Sequence, residues 1–235
     1  MKRRKVIVVT GATKGIGKAI VKKLASENYN VVLFGRDKNK LVKLKQRLKK
    51  MNSDSLLFSG DVSDEKFVKK SMSKVLKYYG KIDGVINNAG VAYFENFVDS
   101  NLQQFKTQID TNVIGVYNFC KVAIPTMIKQ KDGAIINIVS MSGKNGFVTG
   151  TMYVATKHAV MGFSKSLLLE VRKHNVKVIT ICPGSVETDM ISNAPFRKDN
   201  VEYLKPNDVA EVVLTALKMP RRALVSDLEI RPTNI

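Results

Sequence analysis

Cysteine and histidine are scarce in this 235-residue chain, with two of each. Cys120 and Cys182 are too few and too far apart for a disulfide framework or a metal cluster, and His158 and His174 add no ligand set, so no metal is expected. Neither thiol has an adjacent His or acid, and both read as buried structural groups. Long apolar runs are missing as well. The stretch that follows the basic start ends at Val9, short of the ~7–15 residues of a signal-peptide core. No run reaches the ~18 residues a membrane span requires, so a soluble cytoplasmic protein without membrane contact is expected. No Pro/Ser-rich linker, repeat or low-complexity block divides the chain, which reads as one domain over residues 1–235. The last deficit is acid: 20 Asp and Glu stand against 39 Lys and Arg, a net charge of +19. Such an excess favours an anionic partner, whether nucleic acid, acidic protein, membrane surface or phosphorylated ligand. Sixteen of the basic residues, beside two acids, fall in positions 1–50, and nine of the 39 are Arg. Nucleic-acid readers lean on Arg, so the location of the charge says more than its total.

What is present is an alternation. Short apolar runs at 6–10, 31–35, 56–59, 84–87, 134–139, 176–182 and 223–230 are separated by segments with apolar spacings of three and four. Over 38–51, Leu41, Leu44 and Leu48 form a narrow stripe among Lys and Arg. Strands nearly continuous in Val and Ile, joined by crossover helices, predict one doubly wound α/β domain with a parallel sheet of about seven strands and helices on both faces. In such sheets ligands bind beyond the carboxyl ends of the strands.

The first strand runs into Thr10-Gly11-Ala12-Thr13-Lys14-Gly15-Ile16-Gly17 and then a helix. Glycines at a strand-to-helix turn let backbone N–H groups and the helix N-terminus approach a pyrophosphate. No Gly-Lys-Ser/Thr follows, which disfavours phosphoryl transfer. The turn resembles the TGxxxGIG cofactor loop of the short-chain dehydrogenase/reductase family, whose fold is Rossmann-type, and the likeness continues along the chain. Asn87-Asn88-Ala89-Gly90 is similar to its NNAG, Thr111-Asn112 to its helix asparagine and Ser140 to its strand-end serine. Tyr153 and Lys157 match YxxxK, and Pro183-Gly184-Ser185-Val186-Glu187-Thr188 matches PGxVxT.

Tyr153 and Lys157 stand at i and i+4 in a helical stretch over 152–173 and project from one face. A Tyr acting near neutrality must ionise roughly three pH units below its usual ~10, and a neighbouring ammonium favours that. The resemblance implies Tyr153 as general acid/base, Lys157 as its partner and ribose ligand, Ser140 (with Ser142 as competitor) on the substrate oxygen, and Asn112 in support of a proton relay. With all four positions filled, a non-catalytic dinucleotide sensor is the remote alternative. The implied cofactor ligands are Gly11, Thr13, Lys14, Gly15, Ile16 and Gly17 of the turn; Asp61 and Val62 at the adenine; Asn88, Ala89 and Gly90 at the ribose; and Pro183 and Gly184 together with Val186 and Thr188, the last two at the carboxamide.

An acid at the end of the second strand would bind the 2′-hydroxyl of NAD and repel the 2′-phosphate of NADP. The resemblance places that position at Gly35, not Asp37. Arg36 and Lys14 are at hand, each worth on the order of 1–4 kcal/mol against a phosphate, so NADP(H) is the expected cofactor.

A small-molecule carbonyl or alcohol substrate is expected to meet residues 91–96, 142–152 and a loop over 184–205, which offer Tyr93, Phe94, Phe147, Met152, Met190 and Phe196, each equally readable as core. Arg197 and Lys198 are candidate partners for a carboxylate or a carrier-bound phosphate, or plain surface. Residues 162–167 are similar to bacterial 3-oxoacyl-carrier-protein reductases, whereas residues 226–235 depart from them toward reductases of 3-hydroxy acids and small ketones, leaving carrier-bound acyl chains as the alternative. Specific nucleic-acid binding lacks a reading motif. The family implies a homodimer or homotetramer through the helices of Asn112 and Tyr153. Val154, Met161, Leu168 and Val171 suit either that contact or packing on the sheet.

Overall fold

The computed structural model describes residues 4–233 except 52 and 193, so the first basic residues, one position of the 184–205 loop and the last two residues lie outside it. Seven parallel strands form one sheet in the order β3-β2-β1-β4-β5-β6-β7. They are β1 (Val6–Thr10), β2 (Asn30–Gly35), β3 (Ser55–Ser59), β4 (Gly84–Asn87), β5 (Gly133–Ile138), β6 (Val176–Pro183) and β7 (Asp227–Ile230). Between them run α1 (Gly15–Ser26), α2 (Lys38–Lys50), α3 (Glu65–Tyr79), α4 (Leu102–Ile109), α5 (Gly115–Gln130), α6 (Thr151–Val171), the single turn α7 (Asp189–Ser192) and α8 (Pro206–Lys218).

The pleat sorts the strand residues into two cores. Val8, Phe34, Val85, Ile135 and Val178 face α3, α5 and α6, whereas Ile7, Leu33, Ile86, Ile136 and Ile179 face α1, α2 and α8. Burial on both faces is why β1, β2, β4 and β5 carry apolar runs with no polar alternation. Met161, Leu168 and Val171 belong to the first core, so this side of α6 packs on the sheet. Phe34 sits at the centre, with the ring centroids of Phe119 at 4.8 Å and Phe58 at 5.0 Å.

The last strand is shorter than the run over 223–230 predicts. Lys177 Nζ donates to the carbonyls of Met219 and Pro220, at 3.0 and 2.9 Å, so the returning chain joins β6 only from Ser226 onward. Ladder pairing then begins at Thr180 with Asp227.

Strand order reverses between β1 and β4, and there the chain leaves the sheet in two directions, opening a crevice at the strand ends. The crevice is laced across. Asn88 N–H and Ala89 N–H both donate to Thr10 Oγ1, at 3.0 and 2.9 Å, and Asn88 Nδ2 donates to the carbonyls of Thr10 and Gly11. Behind it a buried chain of hydrogen bonds runs from Asn87 to Asn137 to Ser164, each link 2.8 Å, fixing α6 against β4 and β5. Among the described residues no helix is long and apolar enough to cross a membrane.

Replacing Phe34 by Ala empties this aromatic centre and is expected to cost about 3–5 kcal/mol, as is usual for a buried Phe. Urea denaturation measures the loss.

Candidate active site

A cleft of about 1110 Å³ lies over the ends of β1, β4, β5 and β6. Of the residues singled out from the sequence, Gly11, Thr13, Lys14, Gly15, Ile16, Arg36, Asp61, Val62, Asn88, Ala89, Gly90, Ser140, Tyr153, Lys157, Pro183, Gly184, Val186 and Thr188 line it. Gly17, Asn112 and Met152 are not among its lining residues. A Cβ on Gly17 would fall 2.2 Å from the Gly11 carbonyl oxygen, so that glycine lets α1 close on the turn. Met152 is a core residue, which removes it from the substrate set.

At the dinucleotide end, Gly11 and Gly15 adopt φ values of +64° and +49°, which only glycine holds without strain. The N-cap of α1, Lys14, makes no side-chain capping bond, and no acid stands in the first turn. The leading N–H groups of α1 therefore have no carboxylate of their own and suit an incoming anion. Lys14 Nζ reaches across to Asp189 Oδ2 at 2.9 Å, an exposed pair that is weak on its own. At the end of β2, a Cβ on Gly35 would stand 3.2 Å from Thr13 Cγ2, leaving little room for an acid. Asp37 is engaged elsewhere: it caps α2 by accepting from the Lys40 N–H at 2.9 Å and pairs with Lys40 Nζ at 3.3 Å. That N–H holds its carboxyl below the usual range. Lys40 lines the cleft beside Arg36, a position the sequence did not single out because it reads as one more surface lysine of α2. Asn118 Nδ2 donates to the carbonyls of Val62 and Ser63, both at 3.0 Å, and fixes the 61–63 turn.

At the other end, Tyr153 and Lys157 rise from the first turns of α6, both buried at 7% exposure despite their polar ends. Lys157 Nζ donates to the Ile138 carbonyl at 3.1 Å and lies 5.5 Å from the centroid of the Tyr153 ring. Burial pushes the phenol up to about 12 and pulls the ammonium down to about 8. The neighbouring Ser140 side chain opposes the rise. Desolvation thus outweighs the help expected from the lysine. Ser142 N–H donates to Ser140 Oγ at 3.1 Å, so Ser142 orients the serine that meets Tyr153.

Ser140 holds φ 148° and ψ 163°, a region nearly reserved for glycine that costs about 1–3 kcal/mol. Its carbonyl accepts from the Gly143 N–H at 3.0 Å. The turn ends at Lys144, whose ammonium lies 2.8 Å from both Asp227 and Glu229 of β7 and is raised by them. Asp227 also accepts from Thr180 Oγ1 at 3.2 Å and stands 3.7 Å from the Cys182 sulfur.

Asn112 occupies a wide π-helical turn, Asp110–Ile114, between α4 and α5. Its side chain binds both polar atoms of the Val91 backbone at 2.9 Å and donates to Thr156 Oγ1 at 3.0 Å. That is a splint between the 88–91 loop and α6. The mouth beside Tyr153 is aromatic: Phe94 lies 5.5 Å from Tyr153, 5.9 Å from Phe147 and 4.9 Å from Phe196.

The model of the family described as short chain dehydrogenase matches residues 5–198. Similar proteins include an uncharacterized oxidoreductase of Staphylococcus epidermidis, 35% identical over 230 residues and 98% of each chain. Another, from Staphylococcus aureus, is 37% identical over 229 residues and 97% of each. The alcohol dehydrogenase of the archaeon Thermococcus sibiricus, complexed with 5-hydroxy-NADP, superposes with a TM-score of 0.91 at 29% identity, covering 98% of this chain and 97% of that one. A metagenomic short-chain oxidoreductase in complex with NADP gives 0.86 at 31% identity and 97% of each chain. With its crevice, glycine turn and Tyr153–Lys157 pair in one frame, this chain belongs to the short-chain dehydrogenase family.

Proposed function

We propose that the protein is an NADP(H)-dependent oxidoreductase that interconverts a carbonyl and a secondary alcohol, with Tyr153 as its general acid/base. The observation that carries this reading is the placement of Ser140, Tyr153 and Lys157 together on the cleft wall, with the Lys157 ammonium 5.5 Å from the centre of the Tyr153 ring. Bound cofactor supplies the hydride chemistry and, when oxidised, a positive charge.

The residues present fit that cofactor. The uncapped start of α1 with Gly11, Thr13, Gly15 and Ile16 would hold the pyrophosphate, and Gly17 lets the helix come close. Asp61 and Val62 would meet the adenine, Asn88, Ala89 and Gly90 the ribose, and Pro183, Gly184, Val186 and Thr188 the carboxamide. Arg36 and Lys40, with no acid at Gly35, favour a 2′-phosphate, and Lys14 joins them if it leaves Asp189. NADP-bound neighbours of similar fold support the same choice.

Tyr153 holds a proton at Oη throughout the neutral range, and in reduction it gives that proton to the forming alkoxide. Ser140 orients the carbonyl oxygen beside that Oη. Lys157 is charged at neutral pH, and its charge fades as the pH rises past about 8. Below that value its ammonium favours the phenolate left behind. Asn112 acts through the loop and helix it splints. The strained Ser140 depends on the Lys144 tie to β7, which makes Lys144 a positioning residue.

The cleft and the 184–205 loop are read as parts of one domain. Ile114, Tyr117 and Leu169 leave apolar surface on α6 and at the start of α5, which supports assembly of copies as a dimer or tetramer through these helices. Free buried thiols at Cys120 and Cys182 suit a reducing cytoplasm.

Tyr153→Phe is expected to lower NADPH-dependent carbonyl reduction by about 10²–10⁴-fold, the usual share of general acid catalysis. NADPH binding, read by its fluorescence, should persist in that variant; undiminished turnover overturns the mechanism. Arg36→Ala is expected to weaken NADPH by about tenfold, the loss of one screened charge pair of ~1.4 kcal/mol, with little change for NADH. Titration of both nucleotides measures it. Lys144→Met is expected to lower kcat about 10–100-fold by misplacing Ser140, while the NADPH Kd holds and Lys144→Arg recovers most of the loss.

A further inference from the structure

The substrate half of the cleft differs sharply from the cofactor half in its chemistry. Among the described residues, the charged side chains lining the cleft are Lys14, Arg36, Asp37, Lys40, Asp61 and Asp189 toward the dinucleotide end, together with Lys157. Lys14 and Asp189 are paired with each other, and Lys157 is buried and tied to the Ile138 carbonyl. Arg197 and Lys198, the candidate partners for a substrate carboxylate or phosphate, instead line a smaller adjoining pocket with Glu187 and Asp199. A substrate carboxylate beside Tyr153 would therefore lose its water and gain no free cation.

In place of charge there are rings from three separate loops. Phe94 follows β4, Phe147 precedes α6 and Phe196 follows α7. Phe147 and Phe196 lie 5.1 Å apart at 77°, and Phe94 meets Tyr153 at 75°. These are edge-to-face geometries that offer both ring faces and ring edges to an aromatic guest. The arrangement is built in. A Cβ on Gly150 would fall 2.5 Å from the Phe147 ring, so glycine at the start of α6 is what lets that ring lie down beside Phe94 and Phe196. Thr149, at φ +69°, carries the turn that delivers it. Phe196 is 37% exposed, so a guest reaches the cluster by displacing one ring at the surface rather than by opening the core.

We propose that this aromatic triad selects neutral carbonyl compounds bearing an aryl group beside the reacting carbonyl, and rejects substrates with a carboxylate there. The inference rests on Tyr153 being the acid/base of the reaction, and it deepens that reading to a substrate class.

The test uses three α-dicarbonyl compounds with the NADPH-loaded protein: 1-phenyl-1,2-propanedione, 2,3-butanedione without the ring, and benzoylformate with a carboxylate in place of the acetyl group. Turnover is read as kcat/KM. Binding is read separately, as Kd for the NADPH complex of Tyr153→Phe, so that selectivity is measured even where no turnover is seen. The phenyl diketone is expected to exceed butanedione by about tenfold or more and benzoylformate by about a hundredfold, the range over which apolar pockets discriminate. Phe196→Ala and Phe147→Leu should each shrink the phenyl-to-methyl ratio severalfold. Equal or better use of butanedione or benzoylformate, or a ratio that neither variant moves, overturns the proposal. Reduction of all three compounds without ring preference defeats the substrate class alone. Undiminished turnover in Tyr153→Phe brings down the acid/base reading alone, whereas the order of the three Kd values still decides the ring selectivity.

Discussion

The site depends first on how two adjacent strands of distant sequence are held apart at their ends. β1 and β4 are neighbours in the sheet, yet Thr10 and Asn88 are 78 positions apart in the chain. One threonine hydroxyl accepts two N–H groups, and one asparagine amide returns two bonds to the glycine turn. These bonds satisfy backbone groups that the reversal of strand order would otherwise leave bare in a half-buried crevice. The glycine turn, the 88–91 loop and the Asn112 splint all take their positions from that knot.

From the knot outward the cleft divides its work by dielectric. Its cofactor end is wet and cationic, where single charge pairs are weak and the start of α1 is left uncapped. Its chemical end is dry, and burial acts on Tyr153 and Lys157 in opposite senses, raising one and lowering the other. The two values move apart, to about 12 and about 8, because solvent removal is a larger effect here than the ammonium 5.5 Å from the ring centre. The same dryness is what makes an aromatic mouth discriminating and a lone carboxylate costly.

Much of this is local in sequence and was legible there. The glycine turn, the i, i+4 pair of Tyr153 and Lys157, and the absence of an acid at Gly35 are read within a few residues. The strand runs were legible because burial on both faces leaves no polar alternation to confuse them. The misreadings share one cause, which is contact between distant residues. The run over 223–230 looked like a full strand because nothing local shows Lys177 taking the carbonyls before it. Lys144 and Glu229 are 85 positions apart and Lys14 and Asp189 175, so neither pair has a pattern to find. Met152 and Met190 look alike in sequence, and only packing sends the first to the core and the second to the cleft.

The tie between Lys144 and β7 has a consequence for the order of manufacture. β7 is the last of the seven strands to be synthesised, and the two carboxylates that pin the serine turn are on it. Until β7 has been made, neither carboxylate is present for Lys144, and the turn that holds Ser140 in its costly backbone state lacks that brace.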